Sequence, residues 1–306
     1  MEIIEINTNE WTERQGLSST GKRVKAWYVR NHDNKVFLFK VPKKYESINF
    51  ITFELWTEII AYHVGTALGL DMPFIYPAKN QDEYGVLVEN FIAPDESLTE
   101  AKDFLRPFGQ NPHHNINLIE NFLKNFNAKL WHQFKKMLIF DALIGNNDRH
   151  DENWGLCYKI DSLINQNKTN VGELRTTLRF APIYDNASCL TRELTEEGVK
   201  DILDDDRKFN KYVNGKKSKP PNLYWDEKDP KLYKHFDLMA KLIEKEPDTR
   251  QVIQDFLQVD YICPVSDMIK KIQCIDLPEE HKLSDNRVQA IIKILESRKT
   301  TMQELL

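Results

Sequence analysis

Cysteine is scarce: the 306 residues hold four, at positions 157, 189, 263 and 274, without the close spacing of a metal knuckle. In a chain this long four thiols are too few for a disulfide scaffold, which favours a reducing compartment. The N-terminus, Met1-Glu2-Ile3-Ile4-Glu5-Ile6-Asn7, has acid where a signal peptide needs base, and no long apolar run follows it. Internal repeats and long low-complexity tracts are missing too. Basic charge is not in excess, since 42 Lys and Arg stand against 47 Asp and Glu for a net charge of −5. That balance removes the electrostatic ground for bulk binding to nucleic acid or anionic membrane. These absences predict a cytoplasmic chain with no membrane insertion and no direct nucleic-acid contact; export by a route that leaves no such signal fits them as well.

What is present is ordinary in bulk, with 41% hydrophobic and 29% charged residues, enough for one large domain or two lobes. One stretch is not ordinary. An apolar run ends at Phe140, and Asp141-Ala142-Leu143-Ile144-Gly145-Asn146-Asn147-Asp148-Arg149-His150-Asp151-Glu152-Asn153-Trp154 follows. Asp148 and Asn153 stand at D-x-x-x-x-N spacing, that of a kinase catalytic loop, where the Asp handles the attacking hydroxyl and the Asn holds magnesium. Leu130, Phe134, Met137, Leu138 and Asp141 share one helix face leading into the loop. Asp141 reads as a loop-bracing or helix-end carboxylate.

Upstream, Gly16-Leu17-Ser18-Ser19-Thr20-Gly21-Lys22-Arg23 has the composition of a phosphate-cradling loop. Arg23 breaks the G-x-x-x-x-G-K-[ST] pattern, and a plain surface turn is the competing reading. Two strands, Val24–Arg30 and Val36–Val41, follow around the turn Asn31-His32-Asp33-Asn34. Lys40 falls on the face of Val36 and Leu38, either inward with an anion partner or reaching water at a strand end. Phe53 to Leu70 has helical periodicity, with Gly69 and Pro73 as stop signals. Its Glu54 and Glu58 lie one turn apart, and either can pair with Lys40. Gly85–Val88 reads as a strand, and Glu89-Asn90-Phe91 as a hinge presenting backbone groups to a nucleobase.

Residues 93–117 are expected to be a connecting loop, with His113 and His114 exposed. Beyond the central motif, Trp154–Tyr158 and a strand through Leu178 and Phe180 form a hairpin joined by the polar stretch Asp161–Asn170. Asp185, after Ala181-Pro182-Ile183-Tyr184, brings a second carboxylate towards Asn153, as magnesium requires. Residues 191–223 read as charged and weakly periodic, with Asp204-Asp205-Asp206 solvated and Gly215–Pro221 a basic loop. The tail is helical, with Leu232, Phe236, Met239, Leu242 and Ile243 on one stripe and Val288, Ile291, Ile292 and Leu295 on another.

The blocks Leu143-Ile144-Gly145-Asn146-Asn147-Asp148-Arg149-His150-Asp151-Glu152-Asn153-Trp154 and Ala181-Pro182-Ile183-Tyr184-Asp185 resemble the HipA-like serine/threonine kinases, with their "IGN-x-D-x-H-x-x-N" loop and "P-x-YD" strand. Glu58–Ala61 through Leu68-Gly69-Leu70 is similar to the family's "NE…A…LGL" helix, and Val86–Phe91 to its "V-x-ERF" hinge, with Asn90 where Arg is frequent. The likeness spans residues 16–190 by motif. It implies an α+β, two-lobed protein-kinase-like fold: a small β-rich N-lobe, residues 1–92, and a larger, mainly helical C-lobe, residues 93–306. It implies transfer of the γ-phosphoryl group of ATP to a Ser or Thr hydroxyl, with ATP and Mg2+ as cofactors.

On the same resemblance Asp148 is the catalytic base, Lys40 the phosphate-binding lysine and Glu58 its partner. Asn153 and Asp185 hold the metal, and Gly16, Ser18, Ser19, Gly21, Lys40, Glu89, Phe91 and His150 contact ATP. Ser18 and Ser19 are the expected autophosphorylation sites. The implied partners are a protein substrate and an antitoxin or other regulator. With barely fifteen residues before the Ser-containing loop, the chain is expected to be like the short, standalone HipT-type toxins or host-delivered kinases. Two alternatives stand beside this. The Arg149-His150 and Asn153-Trp154 pairs are also similar to the "NTDRGNDNW" loop of type II phosphatidylinositol 4-kinases, which implies a lipid acceptor. The other is a pseudokinase that binds nucleotide without transfer, against which the Lys, Asp, Asn and Asp set is complete.

Overall fold

The structure, a computed structural model, describes residues 1–14, 25–107, 114–159, 177–214, 223–226, 228–229 and 231–306. The fold is α+β, β-rich in its N-terminal region and helical in its C-terminal region. The first strands are β1 (Ile4–Ile6), β2 (Trp11–Glu13), β3 (Lys25–Arg30), β4 (Val36–Lys40), β5 (Lys44–Tyr45) and β6 (Phe50–Ile51). After them come α1 (Glu54–Ala67), β7 (Ile75–Asn80), β8 (Glu83–Glu89), β9 (Glu96–Glu100), α2 (Ala101–Leu105), α3 (Ile116–Phe126) and α4 (Ala128–Ile144). β10 (Gly155–Lys159) and β11 (Arg179–Phe180) precede α5 (Glu196–Asp204), α6 (Asp206–Val213), α7 (His235–Lys245), α8 (Thr249–Gln258), α9 (Ile262–Gln273) and α10 (Asp285–Gln303). Among the described residues no helix is long and apolar enough to cross a membrane.

The chain forms two compact units. The first comprises Met1–Asn90, Asp185–Gly215 and Val259–Ser297. Its six-stranded sheet runs β1-β7-β8-β4-β3-β2, antiparallel except for the β1–β7 pair. Strand alternation decides which side chains meet. Phe37 and Phe39 of β4 are buried with Trp11, Tyr28, Ala78 and Leu87 on one face. Each such ring, fully buried, contributes about 1.5–3 kcal/mol of transfer free energy. Lys40, one residue on from Phe39, therefore points to the opposite face. Helix α1 packs against β7 and β8, and its Trp56, Ile59, Ile60 and Val64 are all buried. It stops where Gly69 takes φ +71, with the Gly69 N–H on the Thr66 carbonyl (3.0 Å) and the Leu70 N–H on that of Gly65 (2.9 Å).

The second unit comprises Phe91–Tyr184, Lys216–Gln258 and Arg298–Leu306. Its small sheet, β11-β10-β9, is antiparallel, and α4 carries twelve buried residues. Asn127 separates α3 from α4 and caps the latter, accepting from the Lys129 N–H at 2.9 Å.

Several expectations need correcting. Residues 93–117 are not all loop: β9 pairs residue for residue with β10, α2 follows at once, and α3 begins at Ile116. The period-2 signal in Glu96-Ser97-Leu98-Thr99-Glu100 is hidden because all five positions are only half-buried. His114 is buried, not exposed, because its Nε2 accepts the Trp154 indole N–H at 3.0 Å. Residues 196–213 form α5 and α6. Asp205 is the N-cap between them, taking the Arg207 and Lys208 N–H groups at 2.8 and 3.2 Å, while Asp204 and Asp206 on either side are exposed as expected. The tail stripes are rotated: His235, Leu238, Met239, Leu242 and Ile243 are the buried face of α7, while Arg287, Ala290, Ile291, Ile294, Leu295 and Arg298 are buried along α10. The stretches 161–170 and 215–221, and His113, lie outside the described residues.

Candidate active site

In the first unit, Lys40 is brought to Glu58 and Asp185. β4 is paired on both sides, to β3 and β8, which fixes the lysine's direction. Its Nζ lies 2.5 Å from Glu58 Oε1 and 2.7 Å from Asp185 Oδ1. Lys40 and Glu58 are buried, while the Asp185 side chain keeps 31% of its exposure. Burial works against the charge on Lys40, but the carboxylates of Asp185 and Glu58 outweigh it and hold its pKa above the ordinary lysine range. Burial pushes the Glu58 carboxyl up, with Lys40 pulling it the other way. Glu54, the other candidate partner, turns elsewhere: it is 3.1 Å from Arg192 and accepts the Lys43 N–H at 3.0 Å. Asp185 has φ +56, a left-handed conformation that Asp adopts more readily than most residues and that clusters at functional sites.

In the second unit, the loop after α4 is built around Asp141. The Arg149 guanidinium grips it at two points, Nε to Oδ2 at 2.9 Å and Nη2 to Oδ1 at 2.8 Å. Arg149 Nη1 also donates to the carbonyls of Asn153 (2.6 Å) and Tyr184 (2.8 Å). Asn146 donates from Nδ2 to Asp141 Oδ1 (2.9 Å), and its Oδ1 accepts the Asp148 N–H at 3.2 Å. Asn153 donates from Nδ2 to the Asp148 carbonyl at 2.6 Å. A carbonyl partner requires the nitrogen there, so Oδ1 is the atom this amide offers to a cation. Asp148 is half-buried, while Arg149 and Asn153 are buried. His150 Nδ1 accepts the Glu152 N–H at 3.1 Å, which directs its ring back into the loop. Trp154 closes the turn in a pocket of Phe104, Phe134 and Phe180.

The hinge residues divide differently. The N–H groups of Glu89 and Asn90 are used inside the first unit, donating to the Phe74 and Val36 carbonyls at 2.8 Å each. The Glu89 side chain pairs with Lys35 at 2.5 Å. Phe91 stacks on Tyr184, with centroids 5.6 Å apart, and its carbonyl accepts from Arg179 at 3.1 Å. Gly16, Ser18, Ser19 and Gly21 lie outside the described residues. Asn153 in the second unit offers an amide oxygen and Asp185 in the first a carboxylate oxygen, each a hard donor of the kind magnesium takes. Among the described residues no cluster of three or more His, Cys, Asp or Glu forms a closed metal cage.

Sequence reasoning read Asp141 as a brace of the loop but missed the residues that it holds. Arg149 and Asn146 flank Asp148 in the motif, and a charged residue inside an apolar-to-apolar turn is a readable sign of a buried pair. His235 and Arg298, which reach the same loop from α7 and α10, carry no such sign.

The HipA-like C-terminal domain family matches residues 17–259. A curated relative, a serine/threonine-protein kinase called CtkA from Helicobacter pylori, is 21% identical over 312 residues, covering 97% of this chain and 89% of its own length. The crystal structure of a Helicobacter pylori proinflammatory kinase CtkA shares the fold at a TM-score of 0.73 and 17% identity, covering 99% of this chain and 96% of that one. HipA from Shewanella oneidensis, solved as a toxin–antitoxin complex with HipB and operator DNA, aligns at a TM-score of 0.56 and 14% identity, over 98% of this chain and 69% of its own. The chain belongs to the HipA-like C-terminal domain family.

Proposed function

We propose that this chain is a protein serine/threonine kinase that transfers the γ-phosphoryl group of ATP to a Ser or Thr hydroxyl with magnesium. The observation that carries the reading is Lys40, buried and charged between Glu58 and Asp185. A buried ammonium shared by a helix glutamate and a second carboxylate has its counterpart in the strand lysine and helix glutamate of protein kinases, where the lysine binds phosphate oxygens. The curated relative, named a serine/threonine-protein kinase, supports the same reading.

In this reading Glu58 orients Lys40, and Lys40 holds the phosphates. Asp148 orients the acceptor hydroxyl and takes its proton as the bond to phosphorus forms. Asn153 and Asp185 supply the metal oxygens. Magnesium, when bound, neutralises charge on the phosphate oxygens. Residues 1–92 handle the nucleotide, with Gly16, Ser18, Ser19, Gly21, Glu89, Phe91 and His150 as further contacts, and residues 93–306 carry the catalytic loop. The Ser18 and Ser19 hydroxyls are the sites of autophosphorylation, and mass spectrometry of active protein finding both unmodified would count against that assignment. An antitoxin-like regulator fits the same reading, since the HipA relative is solved together with HipB.

The test is incubation of pure protein with γ-labelled ATP and magnesium. Wild type transfers label to itself or to a protein extract, and Asp148→Ala and Asp185→Ala do not. No transfer by wild type, or undiminished transfer by either variant, refutes the assignment; label on phosphatidylinositol with none on protein would change the acceptor class to lipid.

A further inference from the structure

Two side chains from distant sequence meet behind the loop that carries Asp148. His235, the first residue of α7, and Arg298, in the last two turns of α10, are both buried. His235 Nε2 is 2.6 Å from the Asn146 backbone carbonyl, and its Nδ1 is 3.1 Å from Arg298 Nη2. A carbonyl oxygen can only accept and a guanidinium can only donate. The imidazole must therefore be neutral, with its proton on Nε2. Arg298 Nε donates to the Ala142 carbonyl at 2.6 Å, satisfying one of the carbonyls that the end of α4 leaves open. Gly145 sits between these two anchor points at φ +72, and a Cβ there would stand 3.3 Å from Arg298 Cζ.

The contacts connect in one line. Arg298 donates to His235, and His235 donates to Asn146. The Asn146 side chain accepts the Asp148 N–H and donates to Asp141, which grips Arg149. Asn146 is therefore held at its N–H by the Asp141 carbonyl (2.9 Å), at its carbonyl by His235, and at both amide atoms by the loop. Of these holds, the one on its carbonyl comes from outside the motif. If it is released, the peptide between Asn146 and Asn147 can rotate, and the Asp148 N–H is carried away from the Asn146 side chain that accepts it.

We propose that His235, backed by Arg298, is a positioning residue for Asp148: it latches Asn146 so that the catalytic carboxylate is held at a fixed height in its loop. The inference rests on the kinase reading for Asp148. Displacing a reacting group by about 1 Å costs about a hundredfold in rate, with little effect on binding of the other substrate. The latch therefore acts on kcat and leaves KM for ATP alone. Neutrality of the imidazole at working pH agrees with its surroundings, since burial and the Arg298 charge bring its pKa down to about 3.

The test uses two near-isosteric variants of the full chain. In His235→Gln the side-chain Nε2 can still reach the Asn146 carbonyl. In His235→Asn the amide matches Nδ1 and the donor to Asn146 is lost. Total γ-phosphoryl turnover from labelled ATP, hydrolysis included, is measured with amide hydrogen exchange at Asp148. His235→Asn is expected to lose tenfold or more in kcat with KM for ATP within twofold, and its Asp148 amide to exchange at least tenfold faster. His235→Gln is expected to stay within about threefold of wild type on both. An Asn variant with wild-type kcat and exchange overturns the latch, as does an equal loss in both variants or a loss confined to KM. Absence of turnover in wild type sinks the kinase reading instead, and amide exchange at Asp148 alone then decides the latch.

Discussion

Arg149 and Asp141 form a two-point ion pair, 2.9 and 2.8 Å, with side chains 0% and 1% exposed. Removing one partner of such a pair strands the other charge in a low-dielectric interior, a cost of about 3–5 kcal/mol. Asp141→Asn keeps the shape and removes the charge, so it isolates that cost. The expected result is a loss of about 3 kcal/mol or more in urea unfolding, with the loop's activity lost in step. A variant as stable as wild type would mean the guanidinium finds another anion.

Lys40→Met removes the cation facing Glu58 and Asp185. The structural cost is smaller than for Asp141→Asn, on the order of 2 kcal/mol. Burial already raises the Glu58 carboxyl, so it can take up a proton instead of remaining an orphan charge, and Asp185 is partly open to water. The functional cost is large. ATP affinity, followed by calorimetry, is expected to fall at least tenfold, and turnover a hundredfold or more. Equal ATP affinity in Lys40→Met and wild type would remove Lys40 from the phosphate site.

The two results differ in how far the sequence announced them. The strand–turn–strand leading to Lys40 was legible because aromatic residues alternate along β4, and alternation fixes facing. Glu58 over Glu54 was legible from the family resemblance but not from helix spacing. Both lie on one side of α1, and only the position of Arg192 on a later segment draws Glu54 away. The D-x-x-x-x-N loop was readable from spacing, since its contacts are local in sequence. β9 was not, because its partner β10 lies about sixty residues away and its own residues are polar and half-buried. Buried arginines in α10, Arg287 and Arg298, interrupt the apolar stripe that periodicity looks for, so the sequence places the stripe one residue off, at Val288 and Ile292.

Acid should loosen the second unit through His235. Its folded pKa, about 3, lies below the ordinary value of 6.5, because burial and Arg298 oppose protonation. Below pH 6.5 the unfolded chain therefore binds a proton that the folded chain refuses, and stability falls as pH falls towards 3. The groups facing the ring are the Asn146 carbonyl and the Arg298 guanidinium, neither of which titrates in that window. The slope from this one group approaches 1.4 kcal/mol per pH unit. Urea unfolding at pH 7 and pH 5 checks it: wild type loses stability over that interval, and His235→Gln loses about 2 kcal/mol less across it.

Gly85 tests how tightly the sheet fixes Lys40. A Cβ at this position would lie 2.2 Å from the Lys40 carbonyl oxygen and 3.0 Å from the Phe39 ring. The first is backbone and cannot swing aside, so Gly85→Ala must part β4 from β8 at the Lys40–Val86 pair. A strand displaced there carries the ammonium away from Glu58, whose helix packs against β7 and β8. Gly85→Ala is thus expected to behave as a weaker Lys40 variant, destabilised by about 1–3 kcal/mol with ATP affinity reduced severalfold. Gly69→Ala supplies the contrast. It has strained backbone at φ +71 but nothing within 4 Å of the added carbon, so it should lose a similar stability at the end of α1 and leave ATP affinity unchanged. Both are read by thermal unfolding and calorimetric ATP titration. If the two variants lose affinity equally, general destabilisation and not the position of Lys40 sets nucleotide binding.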